Sequence, residues 1–351
     1  MSRLGHNRAH DVAVEIYRAR LRDARAVATH WERSFLVRSC PFCDHNSEVS
    51  LDSFLDSYLI VKCKKCAGVY VKHAPPPEAL GWYYTRGEAQ KLIRERVYEA
   101  AAMSRSKEIS NPRMDQVLIW ARDNVLSTHL RILEFGCSSG DFLKALVYRL
   151  QQAGVRQVSA VGVDIDPDGL NISTSDVELL HGADEVLLDL PDAEFDLVLH
   201  YEVIEHLHDP ANLMRSIRRI LKPNGTCIFT TPNLRGADNQ GLNYLAARPL
   251  AHAIFPPMHL QAFDVTNIAI FLLRCGFSID TITTPGRLDI EVLRRATPGS
   301  LAEPFSKATL IPEHLATPIQ DIVAASLGSS HMNVRCRPNQ DETPFSEVEG
   351  S

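Results

Sequence analysis

Ile132-Leu133-Glu134-Phe135-Gly136-Cys137-Ser138-Ser139-Gly140-Asp141 is the stretch on which the fold turns. Residues 131–135 are short and mostly apolar, as a buried strand is. Gly136 and Gly140 let the backbone turn sharply and approach a ligand closely, and residues 142–152 follow as a helix. Outward from this unit the pattern repeats. Strands are predicted at 160–164, 195–200 and 226–231. Between the last two, Leu213, Ile217, Ile220 and Leu221 share one helical face, and Lys222-Pro223-Asn224-Gly225 ends that helix. A later helix begins at Asp264, buries Ile268, Phe271, Leu272 and Cys275, and stops at Gly276. Alternation of strand and helix implies an α/β fold on a parallel sheet.

Two ligand classes suit a glycine turn between strand and helix. A dinucleotide site needs G-x-G-x-x-G, with its pyrophosphate at the helix N-terminus. Here the spacing is G-x-x-x-G, and Ser138 stands where that pattern needs its second glycine. An acid at Glu134 is a poor neighbour for a pyrophosphate and a good one for the ammonium group of a methionine moiety. Asp164, at the end of the next strand, can accept both hydroxyls of a ribose. Charge therefore favours S-adenosylmethionine over NAD.

These segments resemble the class I S-adenosylmethionine-dependent methyltransferases. Residues 132–140 look like the first signature of that family and Val161-Gly162-Val163-Asp164-Ile165-Asp166 like its second. Residues 195–210, with Glu202-Val203-Ile204-Glu205-His206-Leu207, resemble the fourth-strand signature, and residues 221–226 the entry to strand five. The match covers about 130–337. It implies a Rossmann-like seven-stranded sheet in the order 3-2-1-4-5-7-6, its last strand near 329–337 running antiparallel. It also implies a cofactor set of Glu134, Gly136, Cys137, Ser138, Gly140, Asp164, Ile165, Asp184 and His200.

Cys40-Pro41-Phe42-Cys43 and Cys63-Lys64-Lys65-Cys66 are two C-x2-C knuckles with 19 residues between them. That is the spacing of a four-cysteine zinc ribbon, whose filled tetrahedron makes the Zn²⁺ structural. Cys137, Cys227, Cys275 and Cys336 lie scattered in apolar segments and read as buried thiols. Lys62, Lys64, Lys65 and Lys72 make one edge of the ribbon basic, a candidate partner surface.

Methyl transfer to a hydroxyl needs a group or ion that takes or loosens a proton. His200, Tyr201, Glu202, Glu205 and His206 follow the predicted strand at 195–200, and His252 and His259 lie in the long segment 232–262. Glu202-x-x-Glu205-His206 resembles the metal-binding stretch of ubiquinone-pathway O-methyltransferases and of small-RNA 2′-O-methyltransferases. That resemblance implies Mg²⁺ or Mn²⁺ on Glu202, Glu205, His206 and His259. Without an ion, His259 is the first choice of base, with His206 and Glu205 beside it. His208 is expected to help start the helix after Asp209-Pro210.

The boundaries expected are an N-terminal helix (1–35), a zinc ribbon (36–77), a helical linker or lid (78–127) broken near Asn111-Pro112, a methyltransferase domain (128–337) and a disordered tail (338–351). On the first helix Ala13, Ile16, Tyr17, Ala24, Val27 and Ala28 share a face that suits packing or a homodimer contact. A net charge of −6 and a pI near 6.2 argue against nucleic acid as a bulk partner. No apolar run approaches the roughly 20 residues that span a bilayer. With no secretory leader pattern, the expected setting is cytoplasmic. Residues 285–290 and 329–332 resemble segments of bacterial small-molecule methyltransferases. They point to O-methylation of a small hydroxylated acceptor such as a sugar or secondary metabolite. Two rival functions are an RNA methyltransferase docking through its ribbon and a cofactor-binding scaffold without turnover. Against the first, His200-Tyr201-Glu202-Val203 stands where base-N-methylating enzymes carry Asn-Pro-Pro-aromatic.

Overall fold

The computed structural model describes residues 3–98, 109–124, 129–166, 170, 173–241, 253–287, 289–296, 301–302 and 305–339. His252 and the tail from residue 340 lie outside them. Thirteen strands occur in this part: β1 (Leu36–Val37), β2 (Glu48–Phe54), β3 (Tyr58–Cys63), β4 (Val69–Val71), β5 (His73–Ala74), β6 (His129–Phe135), β7 (Gln157–Asp164), β8 (Val177–His181), β9 (Phe195–Tyr201), β10 (Leu221–Pro232), β11 (Gln261–Ala262), β12 (Phe277–Thr283) and β13 (His331–Pro338).

The large sheet has the order β8-β7-β6-β9-β10-β13-β12. β6, β7 and β8 pair in parallel, as do β9 and β10, whereas β13 runs antiparallel to both β10 and β12. This is the seven-stranded order 3-2-1-4-5-7-6 that the resemblance implied. Its strands have the near-continuous apolar character of strands covered on both faces. Ile132, Leu133, Val161, Val163, Leu197, Val198 and Leu199 are all buried. A second, antiparallel sheet has the order β11-β4-β3-β2. β2 and β12 are strands that the sequence pattern did not single out.

By internal contact the chain divides into two units, one of Met1–Phe35 with Pro75–Val186 and the other of Leu36–Ala74 with Leu187–Ser351. In the first, the helix Arg3–Trp31 packs on the helices Pro77–Arg86 and Glu88–Leu92. Ile16, Ala24, Val27 and Ala28 are buried on the expected face, Tyr17 is half-buried, and the Ala13 side chain is outside the described set. Asp23 lies buried on the same helix for a specific reason. Its carboxylate accepts from the Glu88 and Ala89 backbone N–H groups at 3.1 and 2.8 Å, satisfying donors that a helix start leaves open. The helix Asn111–Asn124 carries Pro112 as its second residue, next to the expected break.

In the second unit the cysteine segment is built into the sheet scaffold. β11 pairs with β4, Phe42 meets the Phe263 ring edge-on at 4.9 Å, and Phe54 lies 5.3 Å from Phe255. The helix Pro210–Ile220 is started by Asp209, which accepts from Asn212 N at 3.0 Å. That corrects the expectation for His208: the short carboxylate beside the first turn reaches the open N–H. The helix Val265–Arg274 carries the cap expected at Asp264, in a reciprocal box with Asn267. No helix among the described residues is long and apolar enough to cross a membrane.

Candidate functional site

In the first unit, the loop after β6 is shaped by three residues with positive φ: Gly136 at 79°, Ser138 at 50° and Gly140 at 77°. Gly136 N and Cys137 N both donate to the Val163 carbonyl, at 2.8 and 3.1 Å, and Gly140 N closes the turn on Cys137 O at 2.9 Å. Its φ of 77° favours glycine at 140, and a Cβ there would lie 2.7 Å from Leu179 Cδ2 and press that side chain aside. Asp164, at the end of β7, accepts from Ser138 N at 2.7 Å and from Asp166 N at 2.9 Å. One carboxylate thus ties the turn to the strand beside it. Ile165, next in the chain, is 38% exposed and offers an apolar surface. Asp184 opens the short turn Asp184–Asp189, half-buried.

Glu134 is buried, and its Oε2 meets no hydrogen-bond partner among the described residues. Burial pushes its carboxyl up to about 8, opposed by the positive charge of Arg113 and aided by the negative charge of Asp164. An orphaned buried carboxyl oxygen costs free energy until a donor or cation reaches it. The ammonium group of S-adenosylmethionine is such a donor, so Glu134 and Asp164 fit that cofactor in chemistry. Arg113 carried no signal in the sequence, because its helix has no motif.

In the second unit, Glu205, His206 and His259 bring one ligand atom each within 4.8 Å of one another. Glu205 is fully buried in the turn after β9, and its Oε2 accepts from the Thr231 hydroxyl at 2.8 Å. His206 Nδ1 donates to the Met258 carbonyl at 2.7 Å, an atom that can only accept. The other ring nitrogen, Nε2, lies 3.8 Å from Glu205 Oε1, and the rings of His206 and His259 are 4.8 Å apart. An imidazole whose far nitrogen is tied to a carbonyl is prepared as a metal ligand or as a base. His259 is held by a turn through the cis Pro256–Pro257 peptide, its N–H donating to Phe255 O at 3.0 Å.

Glu202 does not join these three. It leaves β9 with φ 57°, accepts from the Thr230 hydroxyl at 2.6 Å, and lies 3.4 Å from His331 Nε2. His200 is fully buried on β9 and stacks on Phe229 at 4.4 Å; burial lowers its pKa to about 3, so it is neutral. Thr231, which bonds the Glu205 carboxylate, and Arg38 and Gln261, which bond backbone carbonyls beside the cluster, were missed. Their only signal is tertiary.

Cys40, Cys43, Cys63 and Cys66 also form a group whose sulfurs lie within 4.8 Å of one another. Cys40 and Cys66 are 3.5 Å apart and Cys43 and Cys63 3.6 Å. Sulfurs of a tetrahedral site with bonds of about 2.3 Å stand about 3.8 Å apart, so the four fit a zinc ribbon.

The family described as Methyltransferase domain matches residues 86–282, more than half of the chain, and the chain belongs to it. Among curated proteins it is 33% identical over 110 residues to a ubiquinone biosynthesis O-methyltransferase of Maricaulis maris, covering 30% of this chain and 41% of that one. It is 26% identical over 155 residues to a protein of Mycolicibacterium smegmatis named as a probable S-adenosylmethionine-dependent methyltransferase, covering 42% and 52%. The chain thus spans about half the length of these relatives, or less. A solved structure of the plantazolicin methyltransferase BamL, with a triazolic desmethylPZN analog and SAH, shares 13% identity and a TM-score of 0.47 over 74% of this chain and 94% of that one.

Proposed function

We propose that the chain is an S-adenosylmethionine-dependent methyltransferase that methylates a hydroxyl oxygen of a small acceptor, such as a sugar or secondary metabolite. The observation that carries the acceptor class is the buried group of Glu205, His206 and His259, which can take or loosen a hydroxyl proton. Likeness to an O-methyltransferase over part of the chain supports the same reading.

S-adenosylmethionine, when bound, supplies an activated methyl group, and the protein's task is alignment and proton removal. Gly136, Ser138 and Gly140 shape the turn that receives the cofactor. Glu134 meets its ammonium and Asp164 its ribose, with Cys137, Ile165 and Asp184 beside them. Glu205, His206 and His259 would hold a divalent cation such as Mg²⁺, which acidifies a coordinated hydroxyl. Glu202 stands outside that group in this reading, because Thr230 and His331 engage it. Should no ion bind, His259 takes the proton itself as general base. Cys40, Cys43, Cys63 and Cys66 hold a structural Zn²⁺, which suits a reducing, cytoplasmic setting.

The test is transfer of labelled methyl to a panel of small hydroxylated acceptors and, separately, to total RNA. EDTA is expected to abolish transfer while leaving SAH binding intact; His259→Ala is expected to suppress transfer either way. Label in RNA alone would overturn the acceptor class. No label anywhere, with SAH bound normally, would favour a scaffold.

A further inference from the structure

Arg38 donates five side-chain hydrogen bonds beside the Glu205–His206–His259 group, and the proposed function gives it nothing to do. It lies between the first ribbon strand and Cys40, yet it is only 7% exposed. Its Nε and Nη2 both donate to the Val71 carbonyl, at 3.2 and 2.9 Å, and Nη2 also donates to Leu260 O at 2.9 Å. Its Nη1 donates to His208 O and to Gln261 Oε1, both at 3.0 Å. Arg38 N donates to Lys72 O at 3.0 Å, so backbone and guanidinium together grip the ribbon strands.

The acceptors outside the ribbon are not scattered. Gln261 passes the contact on, its Nε2 donating to Ile204 O at 2.6 Å and Leu207 O at 2.9 Å. Those carbonyls bracket Glu205 and His206. Leu260 follows His259 directly; its N–H donates to Glu205 O at 2.8 Å, and its carbonyl takes Val71 N at 2.8 Å as well as Arg38. One planar guanidinium, with donors in fixed directions, therefore reaches the ribbon, the end of the His206 loop and the peptide after His259 at once. Lysine has a single nitrogen at the tip of a flexible stem and cannot span these carbonyls together.

We propose that Arg38 is a positioning residue: with Gln261 it fastens the cysteine ribbon to the two loops that carry Glu205, His206 and His259, and so sets how tightly that group holds a divalent ion. The ribbon is then part of the acceptor-activating site and not only a separate docking module. This rests on the reading of those three residues as an ion-binding group.

The experiment uses the full chain with Arg38→Lys and, independently, Gln261→Leu. Three quantities are measured: Mn²⁺ affinity by titration, SAH affinity by calorimetry, and amide hydrogen exchange of residues 203–208 and 257–261. Zinc per chain is measured as a control. Arg38 and Gln261 bond the backbone beside the ligands and not the ligand side chains, so the loss should fall at the lower end of the about 10- to 100-fold that losing an outer partner of a metal ligand commonly costs. Both variants are expected to weaken Mn²⁺ by roughly tenfold or more and to speed exchange in both segments, while zinc and SAH binding stay at wild-type levels. Unchanged exchange in both segments would overturn the proposal. So would parallel loss of zinc, SAH and Mn²⁺, which would make Arg38 a folding element only. If wild type binds no Mn²⁺ but both segments still open in the variants, the coupling stands and the ion-binding reading falls.

Discussion

Glu134 shows how one side chain can report on a ligand. In the unliganded chain burial holds its carboxyl at about 8, against an ordinary value of 4.5, so it carries a proton at neutral pH. The unfolded chain loses that proton near its ordinary value. Glu134's share of stability is therefore fully present below about 4.5 and is lost as pH rises to about 8, by at most about 1.4 kcal/mol per pH unit. Glu134→Gln is expected to flatten that slope in thermal melts across this window. Ligand binding has the opposite sign. An ammonium group favours the ionised carboxylate, so SAH binding must expel the proton below about pH 8. Calorimetry should show affinity rising from pH 6 toward 8 with proton release into the buffer, and neither effect in Glu134→Gln. An affinity that ignores pH would remove Glu134 from the cofactor site. Asp164 acts differently, since it already holds Ser138 N and Asp166 N. Asp164→Ala removes the proposed ribose acceptor and the tie of the turn, and should weaken SAH by roughly 1–3 kcal/mol.

At the scale of elements, the ribbon is where a small change should do most damage. A Cβ on Gly68 would lie 2.2 Å from Phe42 Cδ2, and Phe42 is fully buried against Phe263. Gly68→Ala must push that ring aside, at about 1–3 kcal/mol. Because metal binding and ribbon folding are coupled, the cost should appear as faster zinc loss to a chelator. Cys63→Ser should remove the zinc altogether; protein purified without chelator and free of zinc would refute the site. The knuckles were legible in the sequence because ligand spacing is local. The pairing of β11 with β4 was not, because a two-residue strand has no periodicity and its partner lies far away in the chain; β2 was not because most of its residues are exposed or half-buried and polar ones interrupt any apolar alternation. The same holds inside the candidate cluster. The resemblance implied Glu202, Glu205, His206 and His259 together; the last three do lie close to one another, whereas Glu202 instead turns toward Thr230 and His331. Its positive φ at the exit of β9 is a backbone fact that no side-chain pattern announces.

For the whole molecule, the division of the chain has a consequence for truncation. Leu36–Ala74 belongs with Leu187–Ser351 by contact, and the rings of Phe42 and Phe54 meet Phe263 and Phe255. Deleting residues 36–74 is expected to leave those apolar faces uncovered and to give protein that aggregates or melts without cooperativity. A cooperative melt at the wild-type temperature would show the ribbon to be dispensable. What the sequence determined by itself was whatever is encoded over a few neighbouring residues. The alternation of strand and helix, the glycine turn after β6, the cap at Asp264 and the paired cysteine knuckles are all of this kind, since backbone freedom, capping and ligand geometry act locally. The resemblance added the sheet order, which the strand pairing bears out. What only the tertiary structure decided was which distant groups meet. Burial without a partner raises Glu134, and the guanidinium of Arg38 gathers the carbonyls of Val71, His208 and Leu260. Both depend on the low dielectric and the close packing of an interior that exists only once the chain has folded.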